Sequence, residues 1–232
     1  MRLHFTLSPN TEPVSFAYQH WLTGAFHKWL KNNDLHDKIS LYSLSWLDGS
    51  RRVASHLEFP SGAKWFVSFY EDQYAEKLLN GALNDPEMFC GMSVTRIEQQ
   101  TTPDFGTKYR FKVASPVFVK GKQPTNGSPA HHYLYNESEA DELMTKTLLH
   151  KMDVANQEVG ETHFTETDKQ VKVSFDREFQ SPKIKLVRIK NIDHKTSICP
   201  VIIEGTPEAV RFAWNVGIGN GTGTCFGSLK EN

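Results

Sequence analysis

The chain has 232 residues, enough for one large domain or two small ones with a buried core. Lys and Arg balance Asp and Glu to a formal charge of −1, which by itself argues against a polybasic binder. A hydrophobic content of 38% with 23% charged residues excludes a wholly disordered chain, and Cys90, Cys199 and Cys225 form neither a disulfide framework nor a zinc ribbon.

Residues 2–7 alternate Leu3, Phe5 and Leu7, the period of a strand. Ser8-Pro9-Asn10 follows too soon for a signal peptide, and no apolar run reaches the ~18–20 residues of a membrane span. With unpaired cysteines, a cytoplasmic location is expected. Pro13 and Ser15 are expected to open a helix whose stripe is Phe16, Leu22, Phe26, Trp29 and Leu30, fading near Asn32-Asn33. Ile39–Trp46 reads as a strand, Asp48-Gly49 as a hairpin turn, and Arg52–Phe59 and Lys64–Tyr70 as further strands. Gln73–Leu83 is a predicted helix carrying Leu78, Leu79 and Leu83, and Met88–Gln99 a returning strand. This order fits a ferredoxin-like unit with an added hairpin strand.

The second half repeats the theme: a strand in Lys108–Val119, a loop at Gln123–Pro129, and a helix from Glu139 to Met152. Strands are expected at Lys169–Phe175, Lys183–Asn191 and Ser197–Glu204. A helix from Pro207 to Val216 and a closing strand at Leu229 follow. The expectation is α+β, two ferredoxin-like (RRM-like) βαββαβ domains in tandem, 1–118 and 119–232.

Charge is segregated along the chain. Residues 103–122 carry +4, residues 134–168 carry −7 and residues 169–195 carry +5. Basic strands with Lys183, Lys185, Arg188 and Lys190 suit a polyanion if the acidic helix lies away from them. Residues 217–227 hold five glycines, with no Gly-Lys-Ser/Thr ending and a helix before the loop rather than after it. It is therefore neither a Walker loop nor a dinucleotide fingerprint. Exposed N–H groups of such a loop can cradle phosphate oxygens, making Gly217, Gly219, Asn220, Gly221, Thr222 and Gly223 candidate phosphate contacts, although the residues alone leave the loop's use unspecified.

Glu204-Gly205-Thr206-Pro207-Glu208 ahead of a helix, Gly217-Ile218-Gly219 after it and Cys225-Phe226-Gly227 at the end form a recognisable pattern. It closely resembles the carboxy-terminal signature of CRISPR-associated endoribonucleases that cut precursor CRISPR RNA within its repeats, with Cys225 replacing one family glycine. Ser115-Pro116-Val117 with Lys120-Gly121-Lys122, Lys183-Ile184-Lys185, Met1-Arg2-Leu3 and Leu22-Thr23-Gly24 are similar to other family segments. The resemblance implies metal-independent cleavage by the RNA 2′-hydroxyl, leaving 2′,3′-cyclic phosphate and 5′-hydroxyl ends, with no cofactor. It implies precursor and mature repeat RNA as partners, other CRISPR effector-complex subunits as further ones, no membrane, and a monomer or homodimer.

Such a reaction needs a proton acceptor, a proton donor and a cation, roles that suit histidine and lysine. Of ten histidines, His20 and His27 lie near one face of the first helix and His36 just beyond it. The resemblance assigns the catalytic positions to His27, His36 and Lys38. Two rivals remain: a non-catalytic RNA-binding subunit, and a two-histidine phosphoesterase built on His4-Phe5-Thr6 and His163-Phe164-Thr165.

Overall fold

The computed structural model describes residues 1–31, 35, 38–125, 127–159 and 163–232. Its first half runs β1 (Arg2–Leu7), α1 (Gln19–Leu30), β2 (Tyr42–Leu44), β3 (Arg51–Val53), β4 (His56–Glu58), β5 (Ala63–Phe69), α2 (Asp72–Asn84) and β6 (Val94–Gln100). The main sheet has the antiparallel order β2-β5-β1-β6. β1 is central because Leu3, Phe5 and Leu7 face the core while its backbone pairs on both sides, Phe5 opposite Trp65 and Ile97. The apolar faces of α1 and α2 share this core, and Gly81 permits their contact, since a Cβ there would collide with the Trp29 carbonyl.

The second half runs β7 (Lys108–Val113), β8 (Val119–Lys120), β9 (His132–Tyr133), α3 (Glu139–Val159), β10 (Lys172–Phe175), β11 (Lys183–Ile189), β12 (Ile192–Ile198), β13 (Val201–Glu204), α4 (Pro207–Val216) and β14 (Leu229–Lys230). Its sheet order, β10-β13-β7-β14, repeats that of the first sheet. Both are the ferredoxin-like order with one helix in each crossover, so the fold is a tandem ferredoxin-like α+β architecture. The insertions are the hairpins β3–β4 and β11–β12 and the short pair β8–β9. α4 begins where Thr206 Oγ1 accepts the Ala209 N–H at 3.2 Å, with Pro207 in its first turn.

Several boundaries differ from expectation for identifiable reasons. The division at 118/119 leaves Lys108–Val113 with the first half, yet this strand pairs inside the second sheet, Phe111 opposite Val201 and Val113 opposite Leu229. α1 starts at Gln19, and Phe16 lies outside it, 44% exposed with the Arg52 guanidinium 5.3 Å from its ring centre. Leu83 is 65% exposed and does not belong to the buried stripe of α2. The single strand expected over Ser197–Glu204 is split at Cys199-Pro200, because Pro200 has no N–H to continue the ladder. Asp48-Gly49 is no hairpin turn; Asp48 bridges Lys64, and the tight turn falls between β3 and β4.

The two units meet through polar groups on an apolar background. Arg2, buried on β1, lies 4.2 Å from the Phe66 ring centre and 3.2 Å from that of Trp214 on α4. It donates to Ser68 Oγ at 2.5 Å and to the Trp214 carbonyl at 3.0 Å. Ser43 Oγ on β2 donates to the Asn215 carbonyl at 3.0 Å. No helix among the described residues is long and apolar enough to cross a membrane.

Candidate nucleic-acid interface

The glycine-rich segment leaves α4 at Gly217 and returns to β14 through a buried knot. Gly217, Gly219, Gly221 and Gly227 all have φ between 59° and 76°, and Cys225 is left-handed as well. At Gly219 a Cβ would run into the Phe118 carbonyl oxygen. Two of the six expected phosphate-binding N–H groups, those of Gly217 and Asn220, are used internally, as are others of the segment. Gly217 donates to Ala213, Ile218 to Gly227, Asn220 to Phe118, Thr224 to Gly221 and Gly227 to Pro116, each at 2.8–2.9 Å. Gly217, Gly219, Thr222 and Gly223 are buried; Asn220 is half-exposed and Gly221 exposed. Of the expected contacts, Asn220 and Gly221 are the ones turned to solvent, and Thr224 is exposed as well.

Buried Lys151 on α3 reaches under this loop. Its Nζ donates to the Val216 carbonyl at 2.8 Å and to Thr222 Oγ1 at 2.9 Å, tying the end of α4 to the loop. Burial lowers its pKa to about 7, although the ammonium sits at the favourable C-terminal pole of α4. A cavity of about 440 Å³ lies beside it, between α3, the loop and residues 38–40. Lys38, Lys146, His150 and Lys151 line the cavity together with Asn220 and Gly221. Leu143, Lys146, Thr147, His150 and Lys151 come from one helical face, spaced i, i+3, i+4, i+7 and i+8. The sequence contains that spacing, but the net charge of −7 over the segment hid it.

α1 packs against the same loop. Thr23 Oγ1 lies 3.9 Å from Cys225 Sγ, a thiol whose pKa burial pushes up to about 12. One turn further, half-buried His27 meets Phe26 edge-on at 5.0 Å. Phe26 stacks on Tyr42 at 4.8 Å, and Tyr42 lies against Gly223. His27 is thus joined to the loop through two rings. Lys38 is on the cavity wall with its Nζ 3.3 Å from Glu158. His36 lies outside the described residues. His20 is further up α1, its Nδ1 2.7 Å from the Ala17 carbonyl.

The basic hairpin β11–β12 stands nearby. Lys183 and Lys190 are exposed, and Lys185 Nζ sits 4.6 Å from the Trp46 ring centre, where burial lowers its pKa. Arg188 is committed to Asp193, with Nε and Nη2 donating to the two carboxylate oxygens at 2.6 and 2.7 Å. The His-x-Thr pair of the phosphoesterase alternative is held in two separate settings. His4 Nε2 is 2.8 Å from Gln100 Oε1 in a 550 Å³ cleft that Trp214 also lines. His163 packs on Tyr70 and pairs with Glu208 at 3.6 Å. Among the described residues no cluster of His, Cys, Asp and Glu is spaced to hold a metal ion.

Comparison with known proteins agrees with this architecture. A Cas6-related protein from Pyrococcus furiosus superposes with a TM-score of 0.84 at 16% identity, over 99% of this chain and 97% of that one. A RAMP protein described as binding different RNA substrates gives 0.82 at 17% identity, over 99% and 98%. A Thermus thermophilus Cas6 product complex gives 0.65 at 15%, over 99% and 98%. No curated protein matches the sequence. The family described as CRISPR associated protein Cas6, C-terminal, matches residues 97–231, which include the whole second sheet, the basic hairpin and the glycine loop. With more than half its length matched, the chain belongs to the Cas6 family of CRISPR-associated proteins.

Proposed function

We propose that this protein is an endoribonuclease that cuts CRISPR repeat RNA by attack of the 2′-hydroxyl on the adjacent phosphate. The new bond is O2′–P and the broken bond is P–O5′. One histidine accepts the 2′-proton, a second protonates the departing 5′-oxygen, and a cation offsets charge on the phosphorane. The products are a 2′,3′-cyclic phosphate and a 5′-hydroxyl, and this route needs no metal. His27 and His36 share the acid and base roles and Lys38 is the cation. Asn220, Gly221 and the lysines of β11 hold the flanking RNA.

The carrying observation is the meeting of three sequence-distant parts. The loop packs on the helix that bears His27, and Lys38 lines the same cavity as Asn220 and Gly221. Lys146, also on the cavity wall, adds a charge of the sign that phosphate requires.

The test is incubation of end-labelled repeat RNA with the protein in EDTA. Wild type is expected to cut once, and His27→Ala and His36→Ala to slow cutting about 100-fold or more while binding stays within about twofold. RNA with a 2′-deoxy group at the cleavage position should resist. Tight binding of the cognate repeat without cutting would instead identify a non-catalytic RNA-binding subunit. Loss of cutting in His4→Ala and His163→Ala alone would favour the phosphoesterase alternative.

A further inference from the structure

On the far side of Asn220, a second basic cluster closes over Phe118. The Phe118 ring is buried, and two half-exposed imidazoles meet it edge-on: His132 from β9 at 4.9 Å and 89°, His194 from β12 at 4.9 Å and 84°. The imidazoles are parallel to within 8°, with centroids 6.2 Å apart. Phe226 of the glycine loop supports His194 from beneath at 5.3 Å. An apolar floor thus holds two imidazoles side by side.

Their backbone partners assign the tautomers. His132 Nδ1 is 3.2 Å from the Lys195 N–H and accepts from it, so the neutral ring carries its proton on Nε2. His194 Nδ1 is 3.1 Å from the Ile192 carbonyl oxygen, which only accepts, so Nδ1 is the protonated atom. Neither Nε2 has a protein partner among the described residues. Protonating His132 would sacrifice the bond from Lys195. Protonating His194 preserves the bond to Ile192 and adds an outward Nε2–H. His132 is a fixed donor, and His194 becomes a donor when charged.

The surroundings are cationic. Lys120 and Lys195 are exposed beside the pair, and His131 stands next to it with its Nε2 2.7 Å from Glu137 Oε1. Asp193, the adjacent carboxylate on β12, is held by Arg188. Partial burial, then the charges of His194, Lys120, His131 and Lys195, lower the His132 pKa and favour its neutral form. Two imidazoles with no uncommitted carboxylate beside them among the described residues suit an anion.

We propose that His132 and His194, flanked by Lys120 and Lys195, form a phosphate-binding site that takes up one proton on His194 when filled. The source is a phosphate of the RNA backbone, so the assignment rests on the RNA-binding part of the function proposed above. Asn220 links this site to the cavity: its N–H donates to the Phe118 carbonyl, and its Oδ1 accepts the Lys120 N–H, both at 2.8 Å. A strand passing Asn220 meets both places.

The test measures repeat-RNA affinity from pH 6 to pH 8 for wild type, His194→Gln and the exposed pair Lys120→Ala/Lys195→Ala. Imidazole NMR signals are followed in parallel with inorganic phosphate as the second probe. Wild type should lose about fivefold in affinity over this range, His194→Gln should lose clearly less, and the lysine variant should bind more weakly with a shallower salt slope. RNA binding with the same pH profile in wild type and His194→Gln overturns the site and leaves the RNA reading intact. Absence of RNA binding by wild type sinks the RNA reading instead. The phosphate titration then decides alone: joint movement of both imidazole signals supports an anion site, and unmoved signals overturn it.

Discussion

Lys151 shows how one side chain carries a structural decision invisible in its neighbourhood of sequence. It reads as an ordinary lysine in an acidic helix, yet it is 4% exposed and donates to Val216 and Thr222. An unfolded lysine titrates near 10.4 and this one near 7, so between those values the unfolded chain holds a proton the native state lacks. This site therefore makes stability rise with pH from about 7 to about 10; below 7 both states are protonated and its dependence vanishes. Urea unfolding at stepped pH should show Lys151→Met with a flatter rise, and RNA binding should weaken several-fold as the loop loses its tie. His27 is open to proposal from the sequence because it stands three residues after Gly24 in a segment resembling the family's, whereas the depth of Lys151 depends on α4 and the loop arriving from distant sequence.

At the scale of elements, α4 was legible to its ends because Pro207 and Gly217 punctuate both. α3 was legible as a helix but not in its orientation. Its acids are largely engaged by bases from elsewhere: Asp141 by Arg177, Asp153 by Lys169 at 2.8 Å and Glu158 by Lys38 at 3.3 Å. The helix presents Lys146, His150 and Lys151 to the loop. The hairpin β11–β12 also divides its charges unequally, since Arg188 is tied to Asp193 while Lys183 is exposed and Lys185 rests on Trp46. Lys183→Ala with Lys185→Ala should reduce the slope of log affinity against log salt by about 1.4, the value for two phosphate contacts on a single strand. Arg188→Ala should change it by less than half as much, as a salt titration of repeat-RNA binding would read.

For the whole molecule, two units with the same sheet order are locked by a few cross-contacts, of which Arg2 is the most deeply buried charge. Its guanidinium spans Phe66 and Trp214 and donates to both units. Arg2→Ala removes stacking and two charge-assisted hydrogen bonds, so a loss of about 3 kcal/mol in urea unfolding is expected, with the two units beginning to melt apart. Retention of wild-type stability would show that the other interface contacts suffice.

The net charge of −1 is a cancellation whose parts fold to different places. By itself the sequence determined the two ferredoxin-like units, because strand alternation, helical stripes and Pro/Gly punctuation are local and act within a few residues. Its family resemblance also singled out the glycine loop by a carboxy-terminal signature and His27 by a separate amino-terminal segment. Tertiary structure decided which loop N–H groups remain for a ligand, which face of α3 meets the loop, and that Lys108–Val113 joins the second sheet. Those outcomes depend on hydrogen-bond partners and buried neighbours far away in sequence, and no local periodicity encodes them.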